Sequence, residues 1–415
     1  MQKPGMADNA ALPLAGLKVL ELGHIVAGPA AGQILADMGA DVIKVESVDG
    51  GDQVRQMPGS MAAMFQLLNR NKRSVALDLK GEGAEIFLKM ASGADVVIEN
   101  FSYGAVDRLG LGYEVVSQTN PGLVWLSIKG FLPGPSESQP MLDELAQMAG
   151  GLAFMTGTET NPVRAGASII DIGAGAYGII AVLAALRQRD TTGKGQHIVA
   201  GLYETSVYYV AQWMATAQFS GEKSVPMATM QQGTRMGFSV YQLFDTSDGN
   251  RIFIGIMSDA HWSRFCQAFG PDVQLDDDRF SSSAGRLANR ADINRAISAV
   301  LARHTRDQAA SMLKVANVPF APIRRPDQLR DEEHLKASGH LLDTHFPNGQ
   351  TGQLPKLPIR ASGFDMTLRS QAPALGADTV DVLMELGYSP CEIDALQLRH
   401  AIGTAGGARK PREGL

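Results

Sequence analysis

The chain has 415 residues, 45% of them apolar and 19% charged, with a formal net charge of −6 and two cysteines, Cys266 and Cys391. That length suits two domains with cores large enough to need no disulfide or structural metal. The acidic balance argues against a nucleic-acid binder, which needs a basic face, and two distant thiols without C-x-x-C spacing read as reduced and inert.

The opening MQKPGMADNAALPLAG has neither the apolar core nor the cleavage pattern of a signal peptide, and no apolar run reaches about 20 residues. A cytoplasmic protein with no membrane span is therefore expected. In chain order, LKVLELG (17–23) reads as a buried strand, 28–38 as a small-residue helix and ADVIKVE (40–46) as a second strand, a βαβ unit. SVALDL (74–79), an amphipathic helix over 81–93, ADVVIENF (94–101) and LVWLSIKG (123–130) continue an α/β doubly wound pattern. A helical segment follows over 141–152. TGKGQHIVAGLYE (192–204) reads as a turn and strand, and 205–219 as a helix. From about 225 the character changes. FSVYQLFDTSDGNRIFIGIM (238–257) predicts an antiparallel hairpin around Asp248-Gly249. Helices over 261–269 and 291–305 and a proline-marked piece over 317–326 complete a smaller α+β domain. Residues 354–415 return to short strand and helix patterns, with a helix over 378–387 and a flexible polar tail.

The most informative stretch is SIIDIGAGAYGIIAVLAALRQR (168–189). Gly173, Gly175 and Gly178 spell G-x-G-x-x-G, the dinucleotide fingerprint, which requires a preceding strand and a later acid. Here the preceding strand is at most four residues, and an ionised Asp171 would repel a pyrophosphate placed on the helix N-terminus. A second reading makes Asp171 the reactive group. A carboxylate of ordinary pKa, about 3.9, is already a nucleophile at neutral pH, and small residues beyond it would give a substrate clearance and expose amides for an oxyanion. A third makes Asp171 only the N-cap of its helix. Composition and spacing leave these last two open. Similarly, Lys72, Arg73 and Arg108 taken alone read as solvated surface charges.

An ordered set of motifs carries a resemblance: GHIVAGPAAGQILADMGADVIKVE, LNRNKRSVALDLK, ADVVIENFSYGAVDRLGLGYE, NPGLVWLSIKGF, LDELAQMAGG, MTG, SIIDIGAGAYG and TGKGQHI. Together they resemble the class III CoA-transferase family, that of the formyl-CoA and carnitine CoA-transferases. The resemblance implies a doubly wound, Rossmann-like large domain from 13–220 and 331–405, a smaller α+β domain from 225–330, a flexible tail over 406–415, and two chains interlaced as a homodimer. It implies that Asp171 attacks an acyl-CoA thioester to give an acyl-aspartyl anhydride and CoA thiolate, with CoA leaving on an acceptor acid. Coenzyme A is then a substrate, and no tightly bound cofactor or metal, nucleic acid or membrane is implied. Carried over position by position, the CoA contacts are Val26, Ala27, Leu77, Lys80, Asn100, Phe101 and Arg108.

The chain departs from the formyl type. Val26 stands where that type has a glutamine, Ser47 where it has an arginine, and QGTRMG (232–237) is a poor match to its glycine loop. A formyl/oxalate pair is not expected. The alternative within the superfamily is a 2-methylacyl-CoA racemase, which pairs the aspartate with a histidine. Here that segment reads PMLDELAQ, with Leu142 and Asp143 and no histidine, so a second base is missing. A non-catalytic acyl-CoA binder is the remaining alternative. For substrate, the 131–168 region is similar to members acting on C4–C5 dicarboxylates, whose distal carboxylate needs a cation. Arg164 and Arg235 are the candidates, with Asp143 also placed among the substrate-contacting residues.

Overall fold

The structure, a computed structural model, describes residues 12–57, 60–232, 237–270 and 277–405. Arg235 and the expected tail at 406–415 lie outside the described residues. The chain divides into two compact units. The larger takes the chain up to Ala153, Arg164–Ala215 and the chain from Glu333 onward; the smaller takes Phe154–Val163 and Thr216–Glu332.

Six strands of the larger unit run parallel: β1 (Lys18–Leu22), β2 (Asp41–Ser47), β3 (Arg73–Leu77), β4 (Val96–Glu99), β5 (Val124–Lys129) and β6 (Gln196–Gly201). Their order is β3-β2-β1-β4-β5-β6, and a short strand, Ile402–Gly403, pairs antiparallel with β3. A parallel sheet is covered on both faces, which is why these strands are almost continuously apolar. Side chains alternate between two cores. Val19 packs on one face and Leu20 and Leu22 on the other; Val124, Leu126 and Ile128 share the first face and Trp125 the second. Buried charges interrupt the pattern, among them Glu21 in β1, Lys44 and Glu46 in β2 and Glu99 in β4. The strand order reverses at β1, with β2 on one side and β4 on the other. The connections leaving the C-terminal ends of β1 and β4 therefore diverge and frame a crevice.

The helix Ile169–Thr192 forms the crossover from β5 to β6. Among the described residues it is long and apolar enough, by length and composition, to cross a membrane, and half of its apolar window is buried within the protein. This corrects the expectation that no apolar run reaches about 20 residues; the helix's glycines and alanines extend its apolar stretch. Gly175 abuts Ala27 and Ala31 of the helix Ala27–Asp37, and Gly178 abuts Leu126 of β5. Elsewhere the expected helix over 205–219 is two, Leu202–Tyr209 and Ala211–Ser220, and the segment over 141–152 is Asp143–Ala149 followed by Leu152–Thr156.

In the smaller unit, Val240–Asp245, Arg251–Ile256 and Phe320–Pro322 form an antiparallel sheet. Its hairpin closes through Asp248-Gly249, as the sequence predicts, with Gly249 at φ +73°. The helix Arg306–Val315 has no counterpart in the sequence reading. It begins at a capping box in which Thr305 and Gln308 satisfy each other's amides, and it buries Ala309 and Leu313 in this unit's core.

Candidate active site

Asp171 is the third residue of its helix, and the preceding Ser168 makes no side-chain cap. The first amides of a helix have no partner within it. Here a neighbouring helix supplies one. Asp143, at the start of Asp143–Ala149, accepts through Oδ2 from the N–H groups of Ile170 (2.8 Å) and Asp171 (3.1 Å). Its Oδ1 accepts from Gln147 Nε2 (2.5 Å), and Gln147 Oε1 accepts from the Ala165 amide (2.8 Å). Asp143 is buried, so both oxygens are committed to positioning the helix start. That is a different occupation from the substrate contact expected for it.

Asp171 itself makes no side-chain hydrogen bond among the described residues, so it is not the cap. Burial, followed by the charges of Asp143 and Glu144, pushes its carboxyl from 3.8 up to about 7. The sequence reading took this group as fully ionised at neutral pH. The structure corrects that: the carboxyl holds its proton to higher pH than an ordinary aspartate, and its carboxylate is more basic.

Asp171 and Gly175, four residues apart, share a helix face. A Cβ at Gly175 would lie 3.0 Å from the Ala27 carbonyl oxygen. Asp171 is thus turned toward the start of the helix Ala27–Asp37, whose N-cap, Val26, offers no side-chain cap to the amides there. The turn between β1 and that helix is strained. Ile25 sits at φ +61°, which for a β-branched residue costs on the order of 1–3 kcal/mol. Asn100, just beyond β4, latches the turn: its Oδ1 accepts from the His24 amide (2.7 Å), and its Nδ2 donates to the His24 carbonyl (3.0 Å). The Phe101 ring lies 4.5 Å from the His24 ring, centroid to centroid. Val26, Ala27, Asn100 and Phe101 therefore meet at the crevice, with the Asp171 helix against them.

The glycines prove to be clearance for protein, not for a ligand. A side chain at Gly173 would run into the Tyr209 hydroxyl and Thr205, one at Gly175 into Ala27, and one at Gly178 into Leu126. Three close contacts with three different elements reproduce the fingerprint spacing by coincidence of packing.

The other expected contacts are scattered. Leu77 is fully buried, paired in register with Ser47 and Ile402, so its side chain belongs to the core. Leu77 ends β3 and the exposed Lys80 follows it, two strands from β1, roughly 10 Å at ordinary strand spacing. Arg108 is exposed beyond β4, donates to the Tyr103 carbonyl (3.2 Å) and forms no ion pair among the described residues. Arg164 is exposed and pairs with Glu144 (2.9 Å), one of the two carboxylates that raise Asp171.

The sequence reading missed a buried charge cluster under the β1 turn. Glu21 receives Lys44 on one oxygen (2.9 Å) and Lys72 on the other (2.5 Å), and Lys44 also pairs with Asp52 (3.0 Å). Lys72, read as a surface charge, is fully buried, and burial lowers it to about 8. Glu46 takes Arg55 and Ser74 (2.6 Å). A second pair, Lys129 and Glu99 (2.7 Å), bridges the ends of β4 and β5. The available signal was a charge at an inward position of an otherwise apolar strand.

Comparison with known proteins places this geometry. The profile of CoA-transferase family III matches residues 14–379. The succinate–glutarate CoA-transferase of Agrobacterium fabrum is 31% identical, over 91% of this chain and 96% of that protein. The succinyl-CoA:mesaconate CoA-transferase of Haloarcula hispanica is 32% identical, over 88% of this chain and 93% of that protein. The crystal structure of a CAIB/BAIF family protein from Brucella suis superposes with a TM-score of 0.80 at 34% identity, covering 90% and 99% of the two chains. The chain belongs to CoA-transferase family III, enzymes that transfer CoA between an acyl-CoA and a carboxylic acid.

Proposed function

We propose that Asp171 is the nucleophile of this CoA transfer. One observation carries the reading: a carboxylate with no hydrogen-bond partner among the described residues sits at a helix start whose amides are held by Asp143, on the side of the crevice at β1 and β4. A carboxylate oxygen attacks the thioester carbonyl, the C–S bond breaks, and an aspartyl anhydride and CoA thiolate form. The thiolate then displaces the donor acid at the aspartyl carbonyl. The acceptor carboxylate repeats the sequence in reverse and leaves as the new acyl-CoA. Each step exchanges one acyl bond for another of similar energy, so no net proton or electron transfer is required.

On this reading Val26, Ala27, Asn100 and Phe101 line the path of the pantetheine. Arg108, exposed and without an ion pair among the described residues, meets a phosphate, for which a guanidinium is suited; Leu77 contributes backbone and Lys80 a peripheral charge. The reading includes a C4–C5 dicarboxylate as acceptor, in keeping with the succinate, glutarate and mesaconate in the relatives' names. Arg164 would release Glu144 to hold the distal carboxylate. A panel of acids with one acyl-CoA donor tests this. Dicarboxylates should outperform monocarboxylates, and Arg164→Ala should raise KM for the dicarboxylate about tenfold, the value of a lost charge-assisted pair. An unchanged KM would discard that role.

We also infer an interlaced homodimer and a cytoplasmic location. The racemase alternative is disfavoured by Asp143, which stands beside the position where that chemistry needs a second base and has both oxygens committed. Incubating a 2-methylacyl-CoA in heavy water separates the two. The transferase leaves the α-hydrogen in place, whereas a racemase would exchange it for deuterium.

A further inference from the structure

The strained turn at Gly23–Val26 is held from below as well as from the side. The Ile25 amide, which its left-handed backbone points away from the helix, donates to Asp52 Oδ1 (3.1 Å). Lys44 donates to the Gly23 carbonyl (2.7 Å), and Lys72 to the Pro29 carbonyl in the first turn of the following helix (2.9 Å). Asp52 is itself fixed. It is buried, its Oδ1 also accepts from the Val54 amide (3.1 Å), its Oδ2 faces Lys44 (3.0 Å), and its own amide donates to Glu46 (3.0 Å). Two glycines precede it, Gly50 at φ +95° and Gly51 at φ +74°, and they bring the chain back so that the carboxylate reaches the turn.

A non-glycine residue stays left-handed only when its surroundings over-determine it. Ile25 has one partner for its amide, and that partner is Asp52. We propose that Asp52 is a positioning residue for acyl-CoA: clamped by Lys44, it holds the Ile25 amide and so fixes the turn that presents Val26 and Ala27 to the ligand. This rests on the reading above that Val26 and Ala27 contact CoA. Asp52 touches no substrate. It acts through Ile25, and a loosened turn would cost binding before it cost the chemistry at Asp171, which Asp143 positions separately.

The test is steady-state kinetics on the full chain with acyl-CoA as the varied substrate. Asp52→Ala should raise KM for acyl-CoA about tenfold with kcat within about twofold, matching release of strain at the low end for a left-handed non-glycine residue. Asp52→Asn, whose carbonyl still accepts from the Ile25 amide, should stay within about threefold of the parent. Adding Ile25→Gly to Asp52→Ala should restore most of the KM, because glycine adopts this backbone unaided. Should the alanine variant not fold, Asp52→Ser carries the same prediction, since its shorter side chain stops short of the amide. A purely structural role would lower kcat and leave KM unrescued by Ile25→Gly; that outcome, or an Asn variant as impaired as Ala, overturns the proposal. Val26→Asp separates the two readings. If it leaves KM for acyl-CoA unchanged, the turn is not a CoA contact; if it raises KM while Asp52→Ala does not, only the positioning role is lost.

Discussion

Replacing Asp171 by Asn should make the protein more stable, by an amount that grows as pH rises from about 4 to about 7. In the folded state the carboxyl is raised from 3.8 to about 7, first by burial and then by Asp143 and Glu144. Below about pH 4 the group is protonated in both folded and unfolded chains and contributes nothing. Between about 4 and 7 the unfolded chain ionises while the folded one holds its proton, so stability falls as pH rises; above 7 the full penalty applies. A rise of about three units corresponds to about 4 kcal/mol as an upper bound. The side chain is partly exposed, and solvent screening reduces that to about 1–3 kcal/mol. Asparagine has nearly the shape of the protonated acid and carries no charge, so it escapes the penalty. Urea denaturation at about pH 3.5 and about pH 8 reads the difference. The Asn variant should match the parent within about 0.5 kcal/mol at the lower pH and exceed it by about 1–3 kcal/mol at the higher. A gain independent of pH, or a loss at pH 8, would refute the reasoning that a buried, crowded carboxylate stands at position 171.

Two further predictions probe the same helix. Asp143→Ala strands two backbone amides and the Gln147 side-chain amide, and should cost about 2–4 kcal/mol in urea denaturation. It also removes a negative neighbour, so Asp171 ionises more readily, and the acid limb of kcat should move to lower pH; a shift upward would contradict the assigned cause. Gly173→Ala should destabilise by about 1–3 kcal/mol through collision with the Tyr209 side chain, and Tyr209→Phe in the same chain should recover only part of that loss, because the ring carbon (2.9 Å) and Thr205 (3.1 Å) remain in the way.

What the sequence made legible follows from local rules. The parallel strands were readable because both faces are covered, leaving short apolar runs at 96–98 in β4 and 124–126 in β5. The hairpin at Asp248-Gly249 was readable because turn chemistry is local. The helix Arg306–Val315 was missed although Thr305 and Gln308 stand at capping-box spacing; its buried residues are only Ala309 and Leu313, too narrow a stripe to stand out as a period. In the site, the sequence singled out Asp171 but not the meaning of its glycines, because what they accommodate, Ala27, Leu126 and Tyr209, lies 36 to 148 residues away in the chain. The cluster of Glu21, Lys44, Asp52 and Lys72 was hidden for the same reason. Each charge alone reads as surface, and only pairing across β1 and β2 makes its burial tolerable.

The central claim is that an acyl group passes through the carboxylate of Asp171. Incubating the protein with an acyl-CoA donor and hydroxylamine, without acceptor acid, and then mapping peptides by mass spectrometry tests it most directly. The account predicts a hydroxamate on the peptide containing Asp171, dependent on acyl-CoA and absent from Asp171→Asn. Release of CoA with that peptide unmodified, or a hydroxamate on any other carboxylate, would contradict it.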